Sequence, residues 1–336
     1  MTETTSHLSE LPGLPTVHDV HRARDAIRDT LRDTPLIASP ELSRRAGARV
    51  WLKPECLQRT GAFKIRGAAN KLASLTAAER ERGVVTASSG NHGLAVAQVA
   101  ARASIRTVIC MSTRVPDNKV QRIRGYGAEV VQQGDRYDDA ERHAFALAAQ
   151  QGLTWISAFD DPHVIAGQGT IGLELLAEQP ALDTVLVPLS GGGLIAGVAL
   201  ALKATRPAIR VIGVSMDRAP MMALSLQAGK PVEVPEQDTL ASALIGSVGA
   251  DNRYTFRMVQ TLVDDVVLVT EDEILAAMGF AKAAHDLTVE GGGAVGIAAL
   301  LHGHIVVPGQ RVVIVLSGGN VDPDTVARAH AAWRTR

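Results

Sequence analysis

The chain has 336 residues, with 34 Lys+Arg against 35 Asp+Glu and a net charge of −1. That balance argues against nucleic-acid or membrane-surface partners, which are usually met by clustered positive charge. A hydrophobic content of 46% with 31 glycines excludes wholesale disorder, and only 3% aromatics leaves Val, Ile, Leu and Ala to fill the core. The length suits one large core or two lobes.

The opening stretch, residues 1–10, is acidic and polar with no basic or apolar run, so no secretory signal is expected. The longest apolar run, Leu194 to Leu202, stops at Lys203 and is too short to cross a bilayer. Cys56 and Cys110 are too few for a disulfide framework and lack metal-ligand spacing. Buried free thiols in a reducing, cytoplasmic setting are the expectation.

In chain order, short β-branched runs alternate with Ala-rich helical stretches. Gly83 to Thr86 reads as a strand, followed by the loop Ser88-Ser89-Gly90-Asn91 and a helix from His92 to Ala103. Arg106 to Met111 is the next strand, with a helix from about Asp117 to Gly125 or Gly127. Glu129 to Val131 and a helix over Asp138 to Gln150 continue the scheme. Later, Val185 to Val187 leads through a glycine loop into a helix ending near Ala204, then a strand over Val211 to Val214. Val312 to Leu316 is the last strand. Such alternation predicts βαβ units and a mostly parallel α/β sheet architecture flanked by helices.

Three strands end in small-residue loops: Ser88 to Asn91, Ser190-Gly191-Gly192-Gly193, and Ser317-Gly318-Gly319-Asn320. Ligands of open α/β sheets lie beyond the carboxyl ends of the strands, where helix N-termini offer N–H groups to anions. Each loop alone is explained as a tight turn; three together point to one shared pocket. Ser190 to Leu194 is a candidate phosphate cradle, without the lysine of a nucleotide P-loop. Gly191, Gly193 and Ala196 also fit a loose dinucleotide pattern, with Asp217 where a ribose-binding acid belongs. A nicotinamide oxidoreductase is therefore a rival reading.

Among seven lysines, Lys64 stands in Thr60-Gly61-Ala62-Phe63-Lys64-Ile65-Arg66-Gly67-Ala68, between an aromatic and an apolar residue at a helix start. A lone lysine there is most simply solvated. Partial desolvation and nearby positive charge would instead lower its pKa and yield a nucleophilic amine.

Gly61 to Ala68 resembles the lysine motif of the threonine/serine dehydratase and serine racemase family, pyridoxal-phosphate enzymes of the tryptophan synthase β-like fold (fold type II). Ser88-Ser89-Gly90-Asn91-His92-Gly93, Ile165-Ala166-Gly167-Gln168-Gly169-Thr170, Ser190 to Leu194 and Ser317 to Asn320 resemble four more of its motifs, in the family's order. The resemblance spans about residues 18 to 325. It implies that Lys64 holds pyridoxal 5'-phosphate covalently and acts as the base at Cα, with Phe63 against the ring. Gly191, Gly192, Gly193 and Leu194 would bind the phosphate, Asn91 the ring 3′-oxygen, and Ser317 would face the ring nitrogen. Ser88, Ser89, Asn91 and His92 would receive the substrate carboxylate, and Ser89 would reprotonate Cα from the opposite face. For His92, packing after the loop is the simpler role.

The implied architecture is two-lobed: a large cofactor domain of residues 1–69 and 159–336, and a small domain of 70–158, with the active site between them. The implied reaction is loss of water from a β-hydroxy amino acid, giving a 2-oxo acid and ammonia in a cytoplasmic homodimer. Racemisation is the nearest alternative, and a non-catalytic amino-acid-binding protein is a further one. Asp251 to Phe256 resembles the hydroxyectoine-utilisation dehydratases, which implies a hydroxylated diamino acid as another substrate.

Some positions depart from the family pattern. The acids that hold a divalent cation in serine racemases correspond to Ser215 and Met221, so no metal site is expected. The usual Ala-Asp-Gly reads Ala241-Ser242-Ala243, and the stretch after Asn320 is too short for the regulatory domain of biosynthetic threonine dehydratases. His302-Gly303-His304 reads as a turn, and the pairs Asp138-Asp139, Asp160-Asp161 and Asp264-Asp265 as solvated or helix-capping acids. Glu290 is expected to orient cofactor, ligate a monovalent ion, or serve structure alone.

Overall fold

Apolar runs without alternation belong to strands covered on both faces, and two sheets of this kind organise the protein. The computed structural model describes residues 13–335. Its strands are β1 (Ile37–Ala38), β2 (Arg49–Pro54), β3 (Val84–Ala87), β4 (Thr107–Met111), β5 (Glu129–Gln132), β6 (Thr154–Trp155), β7 (Thr184–Pro188), β8 (Arg210–Met216), β9 (Asp265–Val269) and β10 (Arg311–Leu316). A six-stranded sheet has the order β1-β2-β10-β7-β8-β9, and a four-stranded one the order β5-β4-β3-β6. The short β1–β2 pairing is antiparallel, and the other named pairings are parallel.

Strand β10 shows why the larger sheet is stable. Val313 and Val315 enter the core under helices Pro162–Glu178 and Gly193–Thr205. Val312, Ile314 and Leu316 enter the opposite core, beneath helices Glu271–His285 and Gly291–Leu301. All five are fully buried, and each such side chain contributes about 1.5–3 kcal/mol on leaving water. The smaller sheet is covered likewise. Val84 and Ile109 pack with helices Lys64–Ala73 and Asn91–Arg102, while Val85, Val108 and Cys110 meet helix Tyr137–Gln151. Both cysteines are free, Cys110 buried and Cys56 partly so.

The expected strands and helices are present, with ends moved by one to three residues, as at Asn91–Arg102 and Tyr137–Gln151. Motif Ile165 to Thr170 lies inside helix Pro162–Glu178 and is a packing device rather than a ligand loop. A Cβ at Gly167 would stand 2.6 Å from the Arg66 carbonyl oxygen, so this glycine lets the helix that begins at Lys64 settle closely against it.

Asp161 caps helix Pro162–Glu178, accepting from His163 N and Val164 N, and Asp139 closes the capping box of helix Tyr137–Gln151. Asp264 departs from the expectation of a solvated acid. Both its oxygens accept from the buried Lys203 ammonium, at 2.7 and 2.8 Å. His302 to His304 forms the expected turn, where His304 Nε2 lies 2.7 Å from Glu273 Oε1. Among the described residues no three His, Cys, Asp or Glu side chains are placed to hold a metal ion, and no helix is long and apolar enough to cross a membrane.

Candidate active site

The lysine motif is docked on the end of β10 by backbone contacts. Phe63 N donates to Ser317 O at 2.9 Å, Gly319 N donates to Gly61 O at 2.9 Å, and Ala62 forms an isolated bridge with Gly318. Lys64 then opens its helix at the mouth of the two sheets. Its Nζ donates to the Ala158 carbonyl at 2.6 Å and lies 5.2 Å from the centre of the Phe63 ring. Burial of the amine lowers its pKa to about 8. A carbonyl partner stabilises the ammonium less than a carboxylate would, so the neutral amine is accessible near physiological pH.

Arg66 anchors this helix. Its guanidinium, wholly buried, donates from Nε and Nη2 to Glu55 and from Nη1 and Nη2 to Glu174. The remaining Nη1 hydrogen goes to Thr170 Oγ1 at 3.0 Å. The buried Lys53 adds contacts to Thr34 O, Glu174 and Glu178.

The chain crosses from the smaller sheet to the larger at Ala158-Phe159-Asp160, and this crossing seats the glycine loop. A Cβ at Gly191 would stand 2.7 Å from the Phe159 ring, and one at Gly193 2.8 Å from the Phe159 carbonyl oxygen. Gly192 has φ of +91°, and a Cβ there would approach Met222 and Val259 to 3.0 Å. Only glycine meets both demands at Gly192. The loop ends at the N-terminus of helix Gly193–Thr205, whose first N–H groups have no acceptor within the helix. Such a loop could hold one phosphate. Asp160 fixes its far wall by accepting from the backbone N–H groups of Arg253, Tyr254 and Thr255 at 2.8–2.9 Å.

The loop Ser88 to Asn91 arrives from the smaller sheet. Ser88 and Ser89 are half-buried, and Ser88 Oγ accepts from Gly90 N at 3.2 Å. Asn91 Nδ2 donates to Glu290 Oε1 at 2.7 Å, and Asn91 Oδ1 accepts from Asn320 Nδ2 at 2.6 Å. Burial raises Glu290 to about 7, while the Asn91 hydrogen bond and the charge of Lys119 oppose the rise.

His92 takes the packing role. Its imidazole is buried, with Nε2 3.2 Å from the Ile156 carbonyl oxygen. Burial first, and the charge of Lys64 second, push its pKa down to about 3. The ring is a neutral packing group, so a carboxylate could meet only the residue's main-chain N–H in the first helical turn.

Ser317 is buried at the end of β10, beside the lysine motif. Ser215 Oγ is 3.8 Å from the Met216 sulfur, and Met221 supplies only a thioether, a poor donor pair for a hard cation. Residues 241–243 pack over the glycines after Glu290: a Cβ at Gly292 would lie 3.3 Å from that of Ala243. A separate groove of about 440 Å³, lined in part by Asp19, Arg22, Asn70 and His163, contains none of the glycine-loop or lysine-motif residues.

Two contributors carried no sequence signal, namely the Ala158 carbonyl and the Phe159 buttress. The Asn320 link was present within a quoted motif, but its partners were not legible.

Lys64 and the glycine loop meet the same Ala158-Phe159 segment at the carboxyl ends of parallel strands, an arrangement that suits a pyridoxal-phosphate-dependent enzyme of fold type II. Residues 27–318 match the model of the pyridoxal-phosphate dependent enzyme family, and the chain belongs to that family. It is 41% identical to an L-threonine ammonia-lyase of Thermotoga maritima, over 93% of this chain and 77% of that protein. It is 40% identical to the catabolic L-threonine dehydratase TdcB of Escherichia coli K12, over 93% of this chain and 95% of that one. Among solved structures, maize serine racemase superposes with a TM-score of 0.89 at 35% identity, covering 94% of this chain and 97% of that one. These relationships set the nicotinamide reading aside.

Proposed function

We propose that the chain is an ammonia-lyase that removes water from a β-hydroxy amino acid of the threonine or serine type, giving a 2-oxo acid and ammonia. The single observation that carries the reading is the Lys64 amine, half-buried with the Ala158 carbonyl and no carboxylate as its partner, on the segment that also buttresses the glycine loop. The threonine ammonia-lyase and dehydratase names of relatives at 40–41% identity support the substrate class.

Pyridoxal phosphate, when bound, supplies the electron sink that makes a substrate Cα–H acidic. The chain's own residues do the rest. N–H groups of Gly191, Gly192, Gly193 and Leu194 would hold the phosphate, and Phe63 would lie against the ring. Asn91 would donate to the ring oxygen, and Ser317 would offer a hydrogen bond, but no charge, to the ring nitrogen. Ser88, Ser89 and the first-turn N–H groups of Asn91 and His92 take the substrate carboxylate. Lys64, in its neutral form, removes the Cα proton and, once protonated, is a proton source for the departing hydroxyl. Ser89 would return a proton to the other face, a racemase side activity favoured by the similarity to maize serine racemase.

The reading extends to organisation: residues 1–69 with 159–336 as the cofactor lobe, 70–158 as the small lobe, and a cytoplasmic homodimer. All strands of the smaller sheet fall between Val84 and Trp155, in keeping with that division. The decisive test is borohydride reduction of the purified holoenzyme followed by peptide mapping, with threonine and serine assayed for 2-oxo acid. Label on Lys64, with turnover lost in Lys64→Ala, is the expected result. Label on another lysine, or normal turnover in that variant, would overturn the reading.

A further inference from the structure

A row of hydrogen bonds runs from the surface of the smaller sheet's helix Asp117–Arg124 into the candidate site. Arg122 Nη2 donates to Asn320 Oδ1 at 2.9 Å. Asn320 Nδ2 donates to Thr60 O at 2.8 Å and to Asn91 Oδ1 at 2.6 Å. Asn91 Nδ2 donates in turn to Glu290 Oε1 at 2.7 Å. Five separate segments are joined in this way, and the exposed guanidinium stands at the outer end.

The row has a sense. A side-chain amide accepts at one end and donates at the other, and turning it over reverses both, whereas a guanidinium only donates. Arg122 therefore requires Asn320 to present its oxygen outward and its NH₂ inward, an orientation that the Thr60 carbonyl supports. Asn91 must then give its oxygen to Asn320, which leaves its NH₂ towards Glu290. One hydrogen of that NH₂ is committed to Glu290, and the second is left to donate. Reversal at Asn91 would set its NH₂ against that of Asn320 and offer an acceptor where a donor is needed.

We propose that Arg122 is a positioning residue: through Asn320 it fixes the amide sense of Asn91, so that Asn91 presents N–H to the ring oxygen of pyridoxal phosphate. The inference rests on the cofactor role given to Asn91 above. It concerns an exposed residue in none of the motifs, more than two hundred residues before the end of the chain and 198 positions from its partner.

The test compares Arg122→Lys, Arg122→Ala and Arg122→Glu, measuring the dissociation constant for pyridoxal phosphate, the absorption maximum of bound cofactor, and kcat and KM separately. Lysine keeps a donor and should stay near wild type. Alanine should weaken cofactor binding by about threefold, and glutamate, an acceptor that demands the reversed amide, by about tenfold with a shifted absorption maximum. The loss should fall on kcat more than on KM. In an Asn320→Ala background the alanine and glutamate variants should become equivalent, which separates the relay from a simple charge effect on an anionic cofactor. Three variants indistinguishable from wild type, or a glutamate effect that persists without Asn320, would overturn the proposal. Asn91→Ala separates the two levels. If it alters the spectrum and the Arg122 series does not, only the relay fails; if it changes nothing, the cofactor role of Asn91 fails and the relay with it.

Discussion

Replacing Arg66 by leucine is the sharpest test of what holds Lys64 in place. Arg66 spends all five of its N–H donors inside the protein, four on Glu55 and Glu174 and one on Thr170. Glu55 is itself fully buried, and its remaining contact is the Thr34 hydroxyl at 2.7 Å. Leucine removes the charge and the fork while filling part of the volume, so Glu55 is left as a buried carboxylate without a counter-ion. Removing one partner of a buried ion pair costs about 3–5 kcal/mol, because the stranded charge pays its desolvation without return. Lys53 remains to hold Glu174, which limits the loss on that side. The expected destabilisation of Arg66→Leu is therefore about 3–4 kcal/mol, or roughly 4–6 °C in Tm for a chain of this length. Arg66→Lys keeps the charge but not the fork and should lose about half as much.

Urea unfolding of the apoprotein, followed by tryptophan fluorescence, reads this directly, since Trp51 lies in β2 two residues from Lys53. The double variant Arg66→Leu with Glu55→Leu supplies the control. With the orphan charge gone it should regain part of the lost stability, because well-packed apolar replacements of buried pairs are often nearly neutral. Acid should reproduce part of the effect. Burial tends to raise the pKa of Glu174, but the charges and hydrogen bonds of Arg66 and Lys53 outweigh it and leave the pKa lowered. A carboxylate of lowered folded pKa stabilises above its unfolded value, and that contribution fades as pH falls through the folded value. A loss below about 1 kcal/mol in Arg66→Leu, or a double variant no better than the single, would refute this account of the cluster.

Three further outcomes are expected. Gly192→Ala should lose pyridoxal-phosphate affinity by about tenfold or more in equilibrium dialysis, since the left-handed backbone and the contacts with Met222 and Val259 both resist a Cβ; unchanged affinity would refute the cradle. Chelation of divalent cations should leave activity and Tm nearly unchanged, given only Ser215 and Met221 at the corresponding positions, and a loss restored by Mg²⁺ or Ca²⁺ would show a site elsewhere. The rate at which apoenzyme captures pyridoxal phosphate should rise with pH and level off near 8, where the Lys64 amine becomes neutral. At pH 7 that pKa leaves the neutral fraction about 300-fold larger than an ordinary lysine would have, and a rate still climbing at pH 10 would sink the assignment.

The alternation of strands and helices was legible because fully buried strands are written as unbroken apolar runs, as in Val312 to Leu316. Strand β2 was harder, because Arg49, Lys53 and Pro54 make it read as an edge or a loop. It is nevertheless paired with β10 along its whole length, and Lys53 is tolerated there only because Glu174 and Glu178 reach it from a helix more than a hundred residues later. Strand β6 has just two residues and no pattern to read. In the site, Lys64, the glycine loop and Asn91 were marked by motif. The carbonyl oxygens of Ala158, Ile156 and Thr60 meet Lys64, His92 and Asn320, and a carbonyl leaves no trace in residue identity. The pairing of Asn91 with Glu290 and Asn320 spans 199 and 229 positions, a closure that only the folded topology reveals.

The protonation states around Lys64 bear on how a single lysine could serve as both base and acid, the two roles proposed for it. His92 approaches closely enough for the Lys64 charge to depress it, and burial depresses both groups. Two cations sharing a poorly solvated space oppose each other, so the second proton is the costly one. The Ile156 carbonyl favours charged His92, yet it does not offset burial and the lysine charge, and the ring stays neutral at any working pH. One exchangeable proton is then shared between solvent, Lys64 and substrate, with no competing imidazole to hold it. A base whose pKa lies near the operating pH takes a proton readily and gives it back readily, which elimination requires in succession: removal at Cα, then donation to the leaving oxygen. The buried histidine contributes by remaining neutral, packed behind the loop that carries Ser88 to Asn91 and holding it to the Ile156 segment. The lysine owes its tuned amine to burial against a carbonyl in place of an acid, so a carboxylate introduced at Ala158 would be expected to restore an ordinary ammonium and abolish both roles.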